Sequence, residues 1–170
     1  MNLFLWGALP YIAFTFLIVG TLVRFFYFER NWTTKSSEFL EKKQLRIANP
    51  LFHFGLLCVI GGHVVGVLIP KTWTAAIGIN DHMYHQGALY MGAVAGIIFI
   101  VGFLLLMKRR FTVPAMKVNT SGLDKWLYLF LTLAIFSGMA GTLLNASGFF
   151  DYRVSIGPWF RSLILSLIHI

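Results

Sequence analysis

The chain has 170 residues, 58% of them hydrophobic and 16% aromatic, with only 12% charged and a mean hydropathy of +0.75. A soluble domain of this length needs far more charge to cover its surface, so the composition excludes one and indicates apolar helices in a lipid bilayer. The net charge of +8 argues for no nucleic acid, because the basic residues fall in short loops between apolar runs, where they set orientation.

In chain order, the first apolar run covers residues 3–26 and carries Pro10 early, where a kink is tolerated if neighbours satisfy the freed backbone groups. No basic stretch or small-residue cleavage site marks it as a removable signal, so it reads as a retained helix. The second run, "LFHFGLLCVIGGHVVGVLIP", covers residues 51–69, with Asn49 placed to cap it, Pro50 in its first turn and Pro70 just beyond its end. The third covers 86–107 and the fourth 126–145. Each is near the ~20 residues needed to cross a ~30 Å hydrocarbon layer. The sequence therefore predicts an all-α transmembrane helical bundle of four spans, with residues 1–170 forming a single membrane domain. Residues 161–170 form an incomplete apolar tail, ending "SLILSLIHI", too short to span.

Loop charge orients the spans. Arg30, Lys35, Lys42, Lys43 and Arg46 follow the first span, with Arg24 just inside its end, and Lys108, Arg109, Arg110, Lys117 and Lys125 lie between the third and fourth. The alternate loops hold only Lys71, Arg153 and Arg161. The richer face is predicted to be cytoplasmic in a multi-pass cell-membrane protein, which puts the N-terminus outside. Arg24 is expected to snorkel to the interface. Trp6, Trp32, Trp73, Trp126 and Trp159 lie near span ends, as interfacial belts require.

The second span carries His53 and His63 in hydrocarbon, where a bare imidazole is costly unless bound. A ten-residue separation on a helix gives a rise of about 15 Å and a rotation of about 80°, so the two rings cannot share one metal ion. Each can serve its own site at its own membrane depth. Gly55, Gly62 and Gly66 form a stripe that could border a haem face or seat a neighbouring helix. Spacing alone leaves haem ligation and a proton relay both open. Cys58 is expected to be a small core residue, and Met91, Met107, Met116 and Met139 to be packing residues.

Three longer stretches carry a resemblance: "PYIAFTFLIVGTLVRF" with "WTTKSSEFLEKKQLR", "LFHFGLLCVIGGHVVGVLIPKTW", and "LLLMKRRFTVP" leading to "TSGLDKWL". In this order and spacing they resemble the gamma subunit of respiratory nitrate reductase, the membrane cytochrome b of that complex. The resemblance implies two b haems, with His53 an axial ligand of the proximal, cytoplasmic-side haem and His63 of the distal, outer-side haem. It also implies quinol oxidation at the outer face, with electrons passing through distal then proximal haem to an iron–sulfur beta subunit. That subunit feeds a molybdenum alpha subunit that reduces nitrate. His82, His85 and Gly62 are quinol-site candidates on the same grounds.

Arg109 and Arg110 are candidates for haem propionates, or a charged anchor after the third span. "TTKSSEFLEKKQLR" is expected to be an interfacial loop or short helix facing the partner subunits. The family's two other axial histidines lie on a fifth span, which this sequence does not reach, so it reads as a truncated or frameshifted form that should hold haem weakly alone. His169 is not assigned as a ligand. The residues by themselves also permit a di-haem anchor of another respiratory oxidoreductase, or a cofactor-free helical membrane protein. A transporter fragment would usually show repeat symmetry or a broken-helix pair, and neither is evident.

Overall fold

The computed structural model describes residues 3–27 and 40–165. Arg30, Trp32, Lys35, His169 and the first half of the "TTKSSEFLEKKQLR" segment lie outside the described residues. Every regular element among those described is helical. The chain divides into two units, the first carrying α1 (Leu9–Tyr27) and the second everything from α2 onward.

In the first unit a π turn over Phe4–Ala8 runs into α1, with the Leu9 N–H bonded to the Phe4 carbonyl five residues back. Pro10 comes next and can donate no hydrogen bond, so the wide turn sits where the regular ladder is already interrupted. Arg24 occupies the last turn of α1, as a snorkelling cation should.

The second unit contains α2 (Lys43–His63), a π turn over Val64–Leu68, α3 (Lys71–Ala76), α4 (Asp81–Thr112), α5 (Pro114–Val118), α6 (Gly122–Ala146) and α7 (Tyr152–Leu165). Four helical stretches, Phe4–Tyr27, Lys43–Leu68, Asp81–Thr112 and Gly122–Ala146, are long and apolar enough to cross a membrane. They match the four expected runs, with ends extended by several residues.

The start of α2 corrects the reading of Asn49 and Pro50. The helix begins at Lys43, so neither is at its N-terminus and Pro50 lies inside it. The proline removes one backbone bond, to the Arg46 carbonyl, and the surrounding turns still form because Ala48 and Gly55 are buried against the rest of the unit. The far end behaves as expected. Ile69 is extended at φ −83°, ψ 118°, and Pro70 comes after it, so the helix cannot continue.

Helices α2 and α4 pack through two glycines. A Cβ built on Gly55 would lie 2.5 Å from the Phe99 backbone nitrogen, and one on Gly102 would meet the Phe52 backbone nitrogen just as closely. Backbone meets backbone there, which only residues without side chains permit. Around the contact, Phe52 meets Phe99 and Phe103 at ring separations of 5.2 and 6.4 Å. Gly55 therefore seats a neighbouring helix, as does Gly66, which lies under the Tyr152 ring of α7. Gly62 has open space beside it.

Caps at the two polar ends arise directly from sequence. Asn80 accepts from the Met83 N–H at 2.8 Å to start α4, and Ser121 with Asp124 forms a reciprocal capping box to start α6. Arg110 reaches the same Asp124 carboxylate at 2.6 Å. Met116, in the short helix α5, is fully buried, so it packs as expected. Met91 does not: it is 77% exposed. Cys58 is also exposed, not in the core, because α2 buries only the face that meets α4. The apolar tail is corrected too. Its start, through Leu165, belongs to α7, which begins at Tyr152 and runs through Pro158 and Arg161.

Candidate functional site

His53 and His63 sit on one helix, one near each end of its apolar stretch, and both rings are exposed. Each is held the same way. The Nδ1 of His53 lies 2.9 Å from the Asn49 carbonyl, and the Nδ1 of His63 lies 2.7 Å from the Val59 carbonyl. A carbonyl oxygen only accepts, so Nδ1 is the donor in each case, and in the neutral ring Nε2 keeps its lone pair. One turn of α2 thus fixes the tautomer and orientation of each ring, and offers Nε2 outward.

That donor chemistry fits a haem iron, which takes a single neutral imidazole from one side, its other nitrogen bonded to a carbonyl. His53 lies roughly 160° around α2 from Gly55, so the α4 contact leaves its side of the helix clear. Among the described residues no group of three or more His, Cys, Asp or Glu is placed to hold a metal ion.

The two other histidines lie in the first turns of α4, His82 exposed and His85 half-buried. Tyr84, between them in sequence, is engaged by a feature the sequence did not reveal. Arg153 of α7 is buried, with its guanidinium carbon 3.6 Å from the centre of the Tyr84 ring. Its Nη2 donates to the Thr74 hydroxyl at 3.1 Å, and its Nη1 lies 3.7 Å from the Asp81 carboxylate. Lys71 joins Asp81 at 3.4 Å and Asp151 at 3.2 Å.

The Asp151 carboxyl is held below its usual range, burial being outweighed by the Arg153 backbone N–H and by Lys71. The Tyr152 hydroxyl is pushed well above its usual range, chiefly by burial and then by its hydrogen bond with Tyr84. Lys71 and Arg153 counted as loop charges in the sequence. The structure shows them as the ties joining α3, α4 and α7. The only sequence signal was an Asp-Tyr-Arg run next to a polar-capped helix, and that is too common to single out.

Arg109 and Arg110 both turn to carboxylates of this chain. Arg109 is buried, with Nε 2.8 Å from Glu41 Oε2 and Nη2 2.7 Å from the Glu41 carbonyl. The Glu41 carboxyl is lowered mainly by the Gln44 backbone N–H, with further help from Arg109. These pairs fasten the end of α4 to the start of α2 and, through Asp124, to the start of α6.

Against known proteins, the nitrate reductase gamma subunit model matches residues 2–168. The chain belongs to that family. It is 46% identical over 162 residues to the nitrate reductase gamma chain of Bacillus subtilis, covering 95% of this chain and 73% of that one. It is 41% identical over 160 residues to the nitrate reductase-like protein NarX of Mycobacterium tuberculosis, covering 92% of this chain and 24% of that one. It is also 31% identical over 143 residues to the respiratory nitrate reductase 1 gamma chain of Escherichia coli, with 84% and 62% covered. Membership makes this chain a membrane subunit of a nitrate reductase, part of an oxidoreductase complex.

Proposed function

We propose that this nitrate reductase gamma subunit oxidises quinol at the outer membrane face and delivers the electrons inward, through two b haems, to an iron–sulfur beta subunit. The beta subunit then serves a molybdenum alpha subunit that reduces nitrate. The observation that carries the reading is the matched pair of imidazoles on α2, each with Nδ1–H tied to a carbonyl and Nε2 free. In this reading residues 1–170 act as one membrane domain, N-terminus outside and basic loops cytoplasmic. His63 then stands toward the outer face and His53 toward the cytoplasm.

When bound, the two haems supply one-electron centres that accept the electrons of quinol singly. The chain's own residues do the rest. His53 and His63 would each hold one haem through Nε2, and the two residues lie about 15 Å apart along the helix axis. His85 and His82, in the opening turns of α4, accept quinol protons on a ring nitrogen and release them to the outer aqueous phase. Gly62, with open space beside it, leaves room for a ring next to His63. Arg109 and Arg110 anchor the cytoplasmic ends of the helices.

The test is a reduced-minus-oxidised spectrum of membranes holding the chain in its complex. H53A and H63A should each remove one of two distinct b-type signals and leave the other. Two intact signals in both variants would overturn the assignment. H85A should slow quinol-driven haem reduction with both signals present, and an unchanged rate would remove His85 from the quinol site.

A further inference from the structure

The segment directly after His63 is tied to α7 as well as to its own helix. Val64–Leu68 is a π turn, and beyond it come the extended Ile69 and then Pro70. Proline has no N–H, so the carbonyls at this helix end have lost a donor from their own chain. Arg161 supplies one: its Nη1 donates to the Val67 carbonyl at 2.8 Å. Helix α7 comes this close because two small residues allow it. A Cβ on Gly157 would stand 3.6 Å from the Val67 oxygen and 3.1 Å from Arg161 Nη1, while Gly66 lies against the Tyr152 ring.

We propose that Arg161 is a positioning residue for the His63 site, holding a fixed positive charge that raises the reduction potential of the haem bound there. The inference rests on the haem reading above. Val67 is one helical turn past His63, which places the guanidinium within roughly 10 Å of that site by helix geometry. Its position is fixed at one end by the Val67 bond and at the other by α7, and the side chain is half-buried.

A half-buried cation held at a fixed place is screened less than a free surface charge, so it stabilises the reduced form of a nearby iron centre, which carries one less positive charge. Val67 is fourteen residues from His53 on the same helical stretch, so this charge stands roughly twice as far from the His53 site as from the His63 site. A purely structural role is the competing account: Arg161 could serve only to satisfy the exposed carbonyl. The two differ in what charge removal does when a donor is kept.

The experiment is a redox titration of the assembled complex, tracking both b-type signals, with the His63 signal identified as the one lost in H63A. R161Q keeps an N–H donor and removes the charge. It should lower the midpoint of the His63 signal by about the tenfold change a unit charge gives at roughly 10 Å and an effective dielectric near 20. For a one-electron couple that is about 59 mV. The His53 signal, about twice as far from the charge, should move by no more than about half as much and so serves as the internal reference, even if less R161Q protein assembles. R161K should return the midpoint most of the way to wild type.

A His63 midpoint unchanged in R161Q overturns the inference, as does an equal shift in R161K and R161Q. Neither result touches the haem reading. Absence of two b-type signals in the wild-type complex overturns that reading instead.

Discussion

The replacement of Gly102 by alanine tests the helix contact on which the His53 site is built. A Cβ at this position would sit 2.7 Å from the Phe52 Cα and 2.8 Å from the Leu51 carbonyl carbon, and closer still to the Phe52 nitrogen. Ordinary contacts lie at 3.4–4 Å. All three neighbours are backbone, so no rotamer change relieves the overlap and α2 must move away from α4. Overpacking of this kind costs about 1–3 kcal/mol, and alanine's better helix propensity returns up to about 1 kcal/mol. The net expectation is a loss of about 1–2 kcal/mol.

Gly92, on the same helix with nothing within 4 Å of its built Cβ, provides the control. G92A should be neutral or more stable by up to about 1 kcal/mol, from propensity alone. The assay is unfolding in detergent, read as loss of helical signal with denaturant, for wild type, G92A and G102A side by side. Because Phe52 immediately precedes His53, the displacement should also disturb the His53 b-type signal before the His63 signal. G102A matching G92A within about 0.5 kcal/mol would refute the reasoning, since the backbone contact would then be too loose to matter.

The polar ends of the helices give two further expected outcomes. Glu41 is lowered from its ordinary 4.5 by the Gln44 backbone N–H and Arg109, so its ionised form favours the fold. That stability is present above pH 4.5 and lost as pH falls through the lowered value, so E41Q should be less stable than wild type at neutral pH, with the gap closing on acidification below 4.5. A gap that does not change with pH would show that the carboxylate charge contributes nothing. Asn80 caps α4 through the Met83 N–H, so N80A should cost about 1 kcal/mol in the same detergent unfolding assay, and no measurable cost would mean the cap is redundant.

Much of the fold was readable because membrane helices announce themselves locally. An apolar run near ~20 residues, a tryptophan or cap at its end and a charged loop beyond it are properties of short windows of sequence. The four runs were found where the helices are, and His53 and His63 stood out because imidazole in hydrocarbon demands a reason. Family membership was legible for a different reason: long ordered stretches match, from near the start of the chain to residue 168. Helix boundaries were read less well. Asn49-Pro50 carries a good local start signal, yet α2 begins at Lys43, because burial of Ala48 and Gly55 outweighs one lost hydrogen bond at Pro50.

The sequence alone determined that this chain is helical, membrane-embedded and a nitrate reductase gamma subunit, with two histidines at two depths of one span. The helices and their apolar character follow from composition and periodicity, which act over a few residues at a time, whereas the family rests on long ordered stretches that match. Only the tertiary structure decided what surrounds them. It turned Arg153 and Arg161 from loop charges into ties of α7 to Tyr84, Thr74 and Val67, and sent Arg109 to Glu41. It also made Gly55, Gly66 and Gly102 points of contact and left Gly62 open. The physical reason is that a charge or a glycine has no meaning of its own within the chain. Its role is set by which distant backbone arrives beside it, and that is decided when helices pack.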